Sequence, residues 1–271
     1  MSKSTNYKDL YVKYLSQGEI FEYTCYSDDL ENFTFNKLKI NGVKACNLYD
    51  NNKKMVLTFN GDLWVENILI DKNVLDIDTN TYIKHTEWYI FNNKWTKILV
   101  DVFIKVGCDF VSGDTFTLTK KGIYIFKGDS ICFIPINDAN NIMIDYEMFI
   151  SNTYGDTFSA GYTFSAGYIE REPKIVPRKD IILKDNGVLY NYNDKPVFSS
   201  YTFDIKYELK PIPFTREIKR LYYYYKYIFI LSDKKVYVYK TNNHDLKQLN
   251  TKIENVKDIF VDGSWKLFIV K

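Results

Sequence analysis

The sequence has few glycines, prolines, histidines and cysteines, and each shortage excludes a class of protein. Its 271 residues include 12 Gly, 6 Pro, 2 His and 4 Cys. So little Gly and Pro excludes collagen-like chains and linker-rich architectures. Two histidines leave little material for His-dependent acid–base or nucleophilic catalysis. No Cys-x-x-Cys pair is present, so a zinc site of the usual ligand spacing is also excluded.

The sequence also lacks an excess of charge and a long apolar run. Lys and Arg number 36 against 34 Asp and Glu, a net charge of +2 that gives no argument for binding DNA or an anionic membrane. The longest strongly apolar run, at residues 227–231, is far shorter than the roughly 20 residues that span a bilayer. No apolar region of a secretory signal follows Met1. We therefore predict a soluble protein with reduced cysteines, located in the cytoplasm or in a virion.

Aromatic residues are abundant. The chain has 24 Tyr and 19 Phe, aromatic residues make up 17% of it, and apolar residues make up 46%. Disordered chains are poor in aromatic and β-branched residues, so this composition predicts a folded protein with a substantial core.

The first 18 residues have a helical apolar pattern. Tyr7, Leu10, Tyr11, Tyr14 and Leu15 recur at the spacing of one face of an α-helix, and Gly18 follows at a position suited to its C-terminus. The pattern predicts an N-terminal amphipathic helix at 1–18. Its apolar face either packs on its own domain or binds a partner through Tyr7, Tyr11 and Tyr14.

Everything after Gly18 has the pattern of β-strands joined by short polar turns. Residues 227–231 and 235–239 are β-branched and aromatic, and Asp233 and Lys234 lie between them. Similar apolar runs flank the pairs Asn60-Gly61, Lys121-Gly122 and Asn186-Gly187. Two apolar runs around such a turn predict a β-hairpin, because tight hairpin turns require positive φ. The body is therefore predicted to be all-β.

The hairpins resemble one another, and their starts are 30 to 44 residues apart. A repeat of this period predicts six or seven short irregular blades of a closed β-propeller, occupying residues 19–271. The final hairpin lacks outer strands, which strands at about 19–40 would supply to close the ring. A pair of β-sandwiches with a boundary near 173–177 is the alternative fold.

One motif recurs at the start of the hairpins: an apolar residue, Lys, any residue and a second apolar residue. Examples begin at Val43, Ile104, Ile218 and Val256, and the first three precede an apolar strand, a short turn and a Leu/Ile-Tyr/Trp type pair. Over about residues 40–271 the pattern resembles degenerate repeats of RCC1-like β-propellers, although the Gly-Gly and Trp-Gly signatures of that family are missing. The resemblance implies a rigid disk whose loops bind other macromolecules. It implies no nucleotide-exchange activity, because no catalytic loop matches.

A tandem repeat interrupts the pattern. Residues 157–162, Thr-Phe-Ser-Ala-Gly-Tyr, are repeated at 163–168. The repeat is either a duplication that lengthens an exposed hairpin or an aromatic loop that inserts into a partner. On the second interpretation the partner-binding residues are Tyr154, Phe158, Tyr162, Phe164 and Tyr168.

One acidic segment matches much of an EF-hand loop. Asp76, Asp78, Asn80 and Glu87 occupy positions 1, 3, 5 and 12, and these residue types supply oxygen ligands for calcium. Thr81 stands where the EF-hand requires Gly, and the flanking residues have strand patterns. The same residues also form ordinary turns. The sequence indicates no cofactor other than calcium.

Motifs of common enzymes are absent: the sequence has no GxxxxGK[ST], GxGxxG, GxSxG or HExxH. We therefore predict a non-enzymatic binding or assembly module whose partners are other proteins, and not a nucleic-acid-binding protein. Heavy use of Asn, Ile, Lys and Tyr is typical of AT-rich genomes and favours a phage or virus particle, where a host surface glycan or receptor would be a further partner. The alternative is a carbohydrate-binding or carbohydrate-active propeller. A charged axial pocket would favour that alternative, and an axis filled with apolar side chains would favour a scaffold.

Overall fold

A computed structural model describes most of the chain. The described residues are 10–16, 18–25, 33–48, 53–108, 114–144, 148–160, 175–184, 187–200, 208–224, 227–249, 254–256, 258–261 and 266–270.

The described residues form strands and turns, without a helix. In chain order the strands are β1 (Leu10–Ser16), β2 (Gly18–Cys25), β3 (Phe33–Gly42), β4 (Lys44–Asn47), β5 (Lys54–Leu57), β6 (Leu63–Val65), β7 (Ile68–Asp71), β8 (Asp76–Asp78), β9 (Thr81–Lys84), β10 (Glu87–Asn92), β11 (Lys94–Leu99), β12 (Phe103–Cys108), β13 (Thr115–Thr119), β14 (Gly122–Lys127), β15 (Ser130–Pro135), β16 (Ala139–Ile144), β17 (Met148–Asn152), β18 (Thr157–Ala160), β19 (Ile175–Arg178), β20 (Ile181–Leu183), β21 (Leu189–Asn191), β22 (Val197–Ser200), β23 (Glu208–Pro211), β24 (Arg220–Tyr224), β25 (Tyr227–Ser232), β26 (Lys235–Lys240), β27 (Asp245–Gln248), β28 (Asp258–Val261) and β29 (Lys266–Val270). The prediction of an all-β body is confirmed.

The predicted N-terminal helix is wrong for residues 10–16, which form β1. This strand pairs antiparallel with β2 and parallel with β29, so Tyr11 lies opposite Thr24 and Lys266, and Tyr14 lies opposite Phe21 and Ile269. Two neighbouring strands satisfy its backbone hydrogen bonds, and its Tyr and Val residues favour strands over helices. Tyr7 lies outside the described residues.

Consecutive strands form antiparallel four-stranded sheets. Five sheets have this simple order: β4–β7, β8–β11, β12–β15, β16–β19 and β24–β27. Strands β20 and β21 form a pair, as do β22 and β23, and a bridge between Tyr190 and Pro196 connects the two pairs into a similar unit. The remaining sheet has the order β28-β29-β1-β2-β3 and joins strands from both ends of the chain.

Burial changes from strand to strand within each sheet. All five residues of β13 and all six of β25 are buried, whereas β7, β11 and β27, each last in its sheet, are largely exposed. A middle strand is buried on both faces only when a further sheet packs on each side of it. The apolar clusters accordingly lie between successive sheets; one example packs Trp88 and Ile90 of β10 with Val106 of β12.

The first strands of successive sheets lie side by side. Strand β4 contacts β8, β8 contacts β12, β12 contacts β16, and β16 contacts β20. Further along, β24 contacts β28, and β1 contacts β4. Repeated four-stranded sheets with adjacent inner strands and exposed outer strands have the architecture of a β-propeller. Strands β16 and β17 contact β20 across the region around 173–177, where the two-sandwich alternative would have placed a domain boundary.

At one end of the sheets, backbone hydrogen bonds join two kinds of loop between strands. One kind joins the second strand of a sheet to the third, and the other joins the last strand to the first strand of the next sheet. We call this end the turn face. Its hydrogen bonds are Val74 N to Gly61 O at 2.9 Å, Val100 N to Thr86 O at 2.9 Å, Ile136 N to Lys121 O at 3.0 Å, Thr153 N to Asp138 O at 2.9 Å, Tyr192 N to Asp180 O at 3.1 Å and Val256 N to Lys234 O at 3.1 Å.

Candidate functional site

Five charged residues lie on the first strands of four sheets. They are Lys44 on β4, Asp76 and Asp78 on β8, Lys105 on β12 and Arg220 on β24. Electrostatic interactions connect all five, including Arg220 with Lys105, although β24 and β12 belong to sheets that are not neighbours in the chain. The charges therefore converge where the inner strands meet. We call these five residues the axial cluster.

An ion pair connects the first two sheets within this cluster. Lys44 Nζ lies 3.0 Å from Asp76 Oδ1, and the two side chains are only 21% and 23% exposed. The backbone N–H groups of Ile77 and Val106 also donate to the Asp76 carboxylate, at 2.9 and 3.4 Å. Burial by itself would lower the pKa of Lys44, but the negative charges of Asp76 and Asp78 and the hydrogen bond to Asp76 outweigh it and raise this pKa. Lys44 is thus held in its charged form.

Lys105 has a different environment. Its Nζ donates one hydrogen bond, 3.4 Å long, to the carbonyl oxygen of Ile142 on β16. Burial lowers the pKa of Lys105 to about 8, and the positive charges of Lys44 and Arg220 act in the same direction, while Asp76 and Asp78 oppose it. A lysine with a pKa near neutrality can act as a cation that binds anions or, when deprotonated, as a base.

The sequence analysis missed this cluster as a unit. Lys44 and Lys105 belong to the recurring apolar-Lys motif, which indicated repeats but not where their lysines meet. The inner strands bring charged side chains together and are not lined by apolar residues alone.

The residues of the predicted calcium site are divided between strands. Asp76 pairs with Lys44, while Asp78 Oδ1 accepts a hydrogen bond from Thr79 N at 2.7 Å. Asn80 lies in the β8–β9 turn with a φ of 57°. Glu87 lies two strands away on β10, where Lys97 at 3.0 Å and the Tyr89 hydroxyl at 2.8 Å contact it. The hairpin pairing of β8 with β9 replaces the continuous loop that an EF-hand requires.

No group of three or more His, Cys, Asp or Glu side chains in the described part of the chain is arranged to hold a metal ion. The four oxygen-bearing residues that match an EF-hand in sequence therefore do not form a joint ligand set here.

The turn face exposes large apolar side chains. Phe59, Leu75, Val102, Tyr154 and Tyr192 lie in its turns, and Leu99 ends the strand before one of them. Their exposed fractions run from 50% for Leu75 to 80% for Tyr192. The other large apolar residues that the described strands expose lie on the outermost strands: Ile68, Leu69, Ile70, Ile131, Phe133 and Val176.

The predicted aromatic loop is divided in the structure. Tyr154 is 74% exposed at the turn face, and its hydroxyl donates to Asp138 Oδ2 at 2.9 Å. Phe158 lies on β18, half-buried against the core between the third and fourth sheets, because its strand pairs with β17 and β19. Tyr162, Phe164 and Tyr168 lie outside the described residues.

Comparison with known proteins identifies no family. No family model matches the sequence, and no curated protein matches it. The resemblance to RCC1-like repeats therefore has no specific support and stays a prediction. In the described part of the chain no helix is long and apolar enough to cross a membrane.

Solved structures with a similar arrangement include Sqt1 of Saccharomyces cerevisiae, at 8% identity and a TM-score of 0.49, with 96% of this chain and 89% of that chain covered. Hsv2 of Kluyveromyces marxianus has 10% identity and a TM-score of 0.43, with coverages of 89% and 97%. BBS1N, solved in complex with ARL6DN, has 15% identity and a TM-score of 0.42, with coverages of 81% and 83%. These scores lie below 0.5, and the fold rests on the strand order and contacts described above.

Proposed function

We propose that this chain is a closed, seven-bladed β-propeller that acts as a non-enzymatic binding module for another protein. Five four-stranded sheets, the bridged unit β20–β23 and the sheet that joins β28 and β29 to β1 supply the seven blades. In this proposal the parallel pairing of β1 with β29 closes the ring. Closure would remove the free edges that otherwise promote sheet aggregation.

The observation that supports protein binding is the set of six exposed apolar side chains on the turn face. Tyr154 and Tyr192 are among the most exposed, and aromatic residues are enriched where interfaces gain most of their binding energy. Backbone hydrogen bonds such as Tyr192 N to Asp180 O hold these turns in place. A surface ordered before binding loses little conformational entropy when a partner docks.

The proposal extends to a larger assembly. The composition favours a component of a phage or virus particle, such as a tail or host-attachment part, found in the virion or in the cytoplasm of the producing cell. A host surface receptor or glycan would then be a second partner.

The test is affinity capture from the native source, followed by mass spectrometry. The expected result is stoichiometric recovery of a specific protein by the wild-type chain. A variant combining Phe59→Ser, Tyr154→Ser and Tyr192→Ser should lose that protein, because the substitutions remove the proposed apolar contacts without reaching the core. Circular dichroism checks that this variant keeps its fold.

The outer strands supply the matched control. Ile68 and Val176 are 67% and 50% exposed, and a variant with Ile68→Ser and Val176→Ser should still recover the partner. Recovery of the chain alone, or equal loss in the two variants, would contradict binding through the turn face.

Carbohydrate binding is a second candidate, and the axial cluster favours it. Asp76 and Asp78 lie two residues apart on β8, so their side chains share one face of that strand. Carboxylates beside cations can bind the hydroxyl and acidic groups of sugars, and two nearby carboxylates are also the minimum for glycoside hydrolysis. A glycan array and glycosidase assays on wild type and Asp78→Asn distinguish a lectin, an enzyme and neither.

A further inference from the structure

The ammonium group of Lys105 has fewer hydrogen-bond partners than it can use. An ammonium has three N–H donors, and in the described part of the structure Lys105 directs one of them at the Ile142 carbonyl, over a long 3.4 Å. It forms no ion pair with a described carboxylate. Donors in a partly buried position are normally satisfied, and an unpaired charge away from water is unfavourable. The group is therefore suited to a partner from solution.

The nearby carboxylates are already engaged. Asp76 accepts from Lys44 and from the N–H groups of Ile77 and Val106. Asp78 accepts from Thr79 N. Three cations and two carboxylates also leave the axial cluster with a formal charge of +1. The excess charge and the remaining donors of Lys105 both favour an anion.

The three cations of the cluster are not fully buried. Lys44, Lys105 and Arg220 are all partly exposed, so each retains some contact with solvent. Strand β12, on which Lys105 lies, contacts the neighbouring first strands β8 and β16, which hold it in place. A carboxylate or phosphate group can accept several hydrogen bonds at once from Lys and Arg donors, and such charge-assisted bonds are short and strong.

We propose that the axial cluster binds the oxyanion group of a small molecule, a carboxylate or a phosphate, between Lys105 and Arg220. This site is separate from the turn face, so it does not depend on the proposed protein partner. The Lys44–Asp76 pair positions the neighbouring strands, and Lys105 supplies the donors that the described part of the protein leaves unused.

Such binding depends on the proton of Lys105. The groups that act on Lys105 are Asp76 and Asp78 on β8, Lys44 on β4 and Arg220 on β24. Lys44 keeps its proton because its pKa is raised. Lys105 loses its proton as the pH rises through its pKa of about 8. The affinity of the axial cluster for the anion should therefore fall roughly tenfold or more between pH 7 and 9.5.

The test is isothermal titration calorimetry on the full chain with two probes, citrate and inorganic phosphate, at matched ionic strength and pH 7. We expect saturable one-to-one binding of at least one probe. Binding of citrate alone assigns a carboxylate ligand, and binding of phosphate alone assigns a phosphate ligand. Lys105→Met should weaken the binding of that probe at least about tenfold, because one hydrogen bond from a charged donor is lost.

Lys121→Met is the control, because Lys121 is an exposed lysine of the turn face with its own partner, Asp101. The Lys121→Met variant should bind the probes with wild-type affinity. The turn-face variant, which contains Tyr154→Ser, should do the same. If Lys105→Met fails to fold, Arg220→Gln tests the same site. Absence of saturation by either probe up to about 10 mM, or equal affinities of wild type and the axial variant, overturns the proposal.

Discussion

The aromatic ring of Phe116 lies against the Cα atom of Gly107 on the neighbouring strand. The two residues are direct cross-strand partners in the β12–β13 pair, and Phe116 is 5% exposed. A Cβ atom on residue 107 would overlap the Cζ and Cε1 atoms of the ring. The missing side chain of Gly107 therefore provides the space that Phe116 fills, as aromatic residues opposite strand glycines often do.

Gly107→Ala should destabilise the protein by about 1 to 3 kcal/mol, because the added methyl group displaces a buried ring in a closely packed core. The urea midpoint of unfolding, followed by circular dichroism, measures the change. In the double variant with Phe116→Leu the smaller side chain should accommodate the methyl group, so the two effects should not add. Additive effects would show that the added methyl group and the ring do not interact.

Lys234→Gly should stabilise the protein. Asp233 and Lys234 form the two-residue turn between β25 and β26, with positive φ values of 49° and 61°. Glycine adopts this conformation without strain, which stabilises the folded protein. Glycine also loses more conformational entropy on folding, so the net stabilisation is about 0.5 to 1 kcal/mol. Lys235→Gly, one residue into the strand, should destabilise by about the same amount. A lower melting temperature for Lys234→Gly than for wild type would contradict the turn geometry.

Lys105→Met should change the pH dependence of stability. The folded-state pKa of Lys105, about 8, lies below that of an unfolded lysine, about 10.4. At pH values between these two pKa values, the unfolded chain binds one more proton than the folded protein. Lys105 therefore makes the stability of the folded protein rise with pH. At pH 7 the variant avoids the buried charge and should gain up to about 3 kcal/mol relative to wild type, a gain that disappears by about pH 10.5. A difference in unfolding free energy that does not vary with pH would refute the lowered pKa.

Asp76→Asn should remove the ion pair with Lys44. The raised pKa of Lys44 stabilises the folded state below the pKa of an unfolded lysine, and this contribution is lost as pH rises through the folded pKa. The variant should lose about 1 to 3 kcal/mol at pH 7, and less at high pH. Asp101→Asn is the matched control: Lys121, its partner, is 72% exposed, so the loss of stability should be much smaller than that of Asp76→Asn. Equal losses would mean that the axial pair is no stronger than a surface pair.

Local patterns predicted the hairpins well, because a turn such as Asp233-Lys234 and the apolar runs beside it interact within a few residues. The N-terminal segment was mispredicted, because Tyr11 and Tyr14 fit both a helical and a strand pattern. The choice between them depends on β29, which lies more than 200 residues away in the sequence. Local spacing contains no information about that pairing.

The axial cluster could not be predicted for a related reason. Lys44, Lys105 and Arg220 come from separate repeats, and only the side-by-side packing of the first strands brings their charges together. Asp76 and Asp78 were recognised as functional candidates, but their spacing indicated calcium, whereas in the structure Asp76 pairs with Lys44. Their neighbours in space, rather than those in sequence, determine their chemistry.

The sheet that joins β1 to β29 also affects how the chain folds during synthesis. Tyr11 and Lys266 are paired in it, so the sheet cannot form until nearly all of the intervening chain has left the ribosome. At about 5 to 20 residues per second, this takes roughly 10 to 50 seconds. During that interval the edge of β1 that will pair with β29 lacks its partner. The order of synthesis thus makes this sheet the last to be completed in the cell, whereas in refolding from denaturant both of its ends are available from the start.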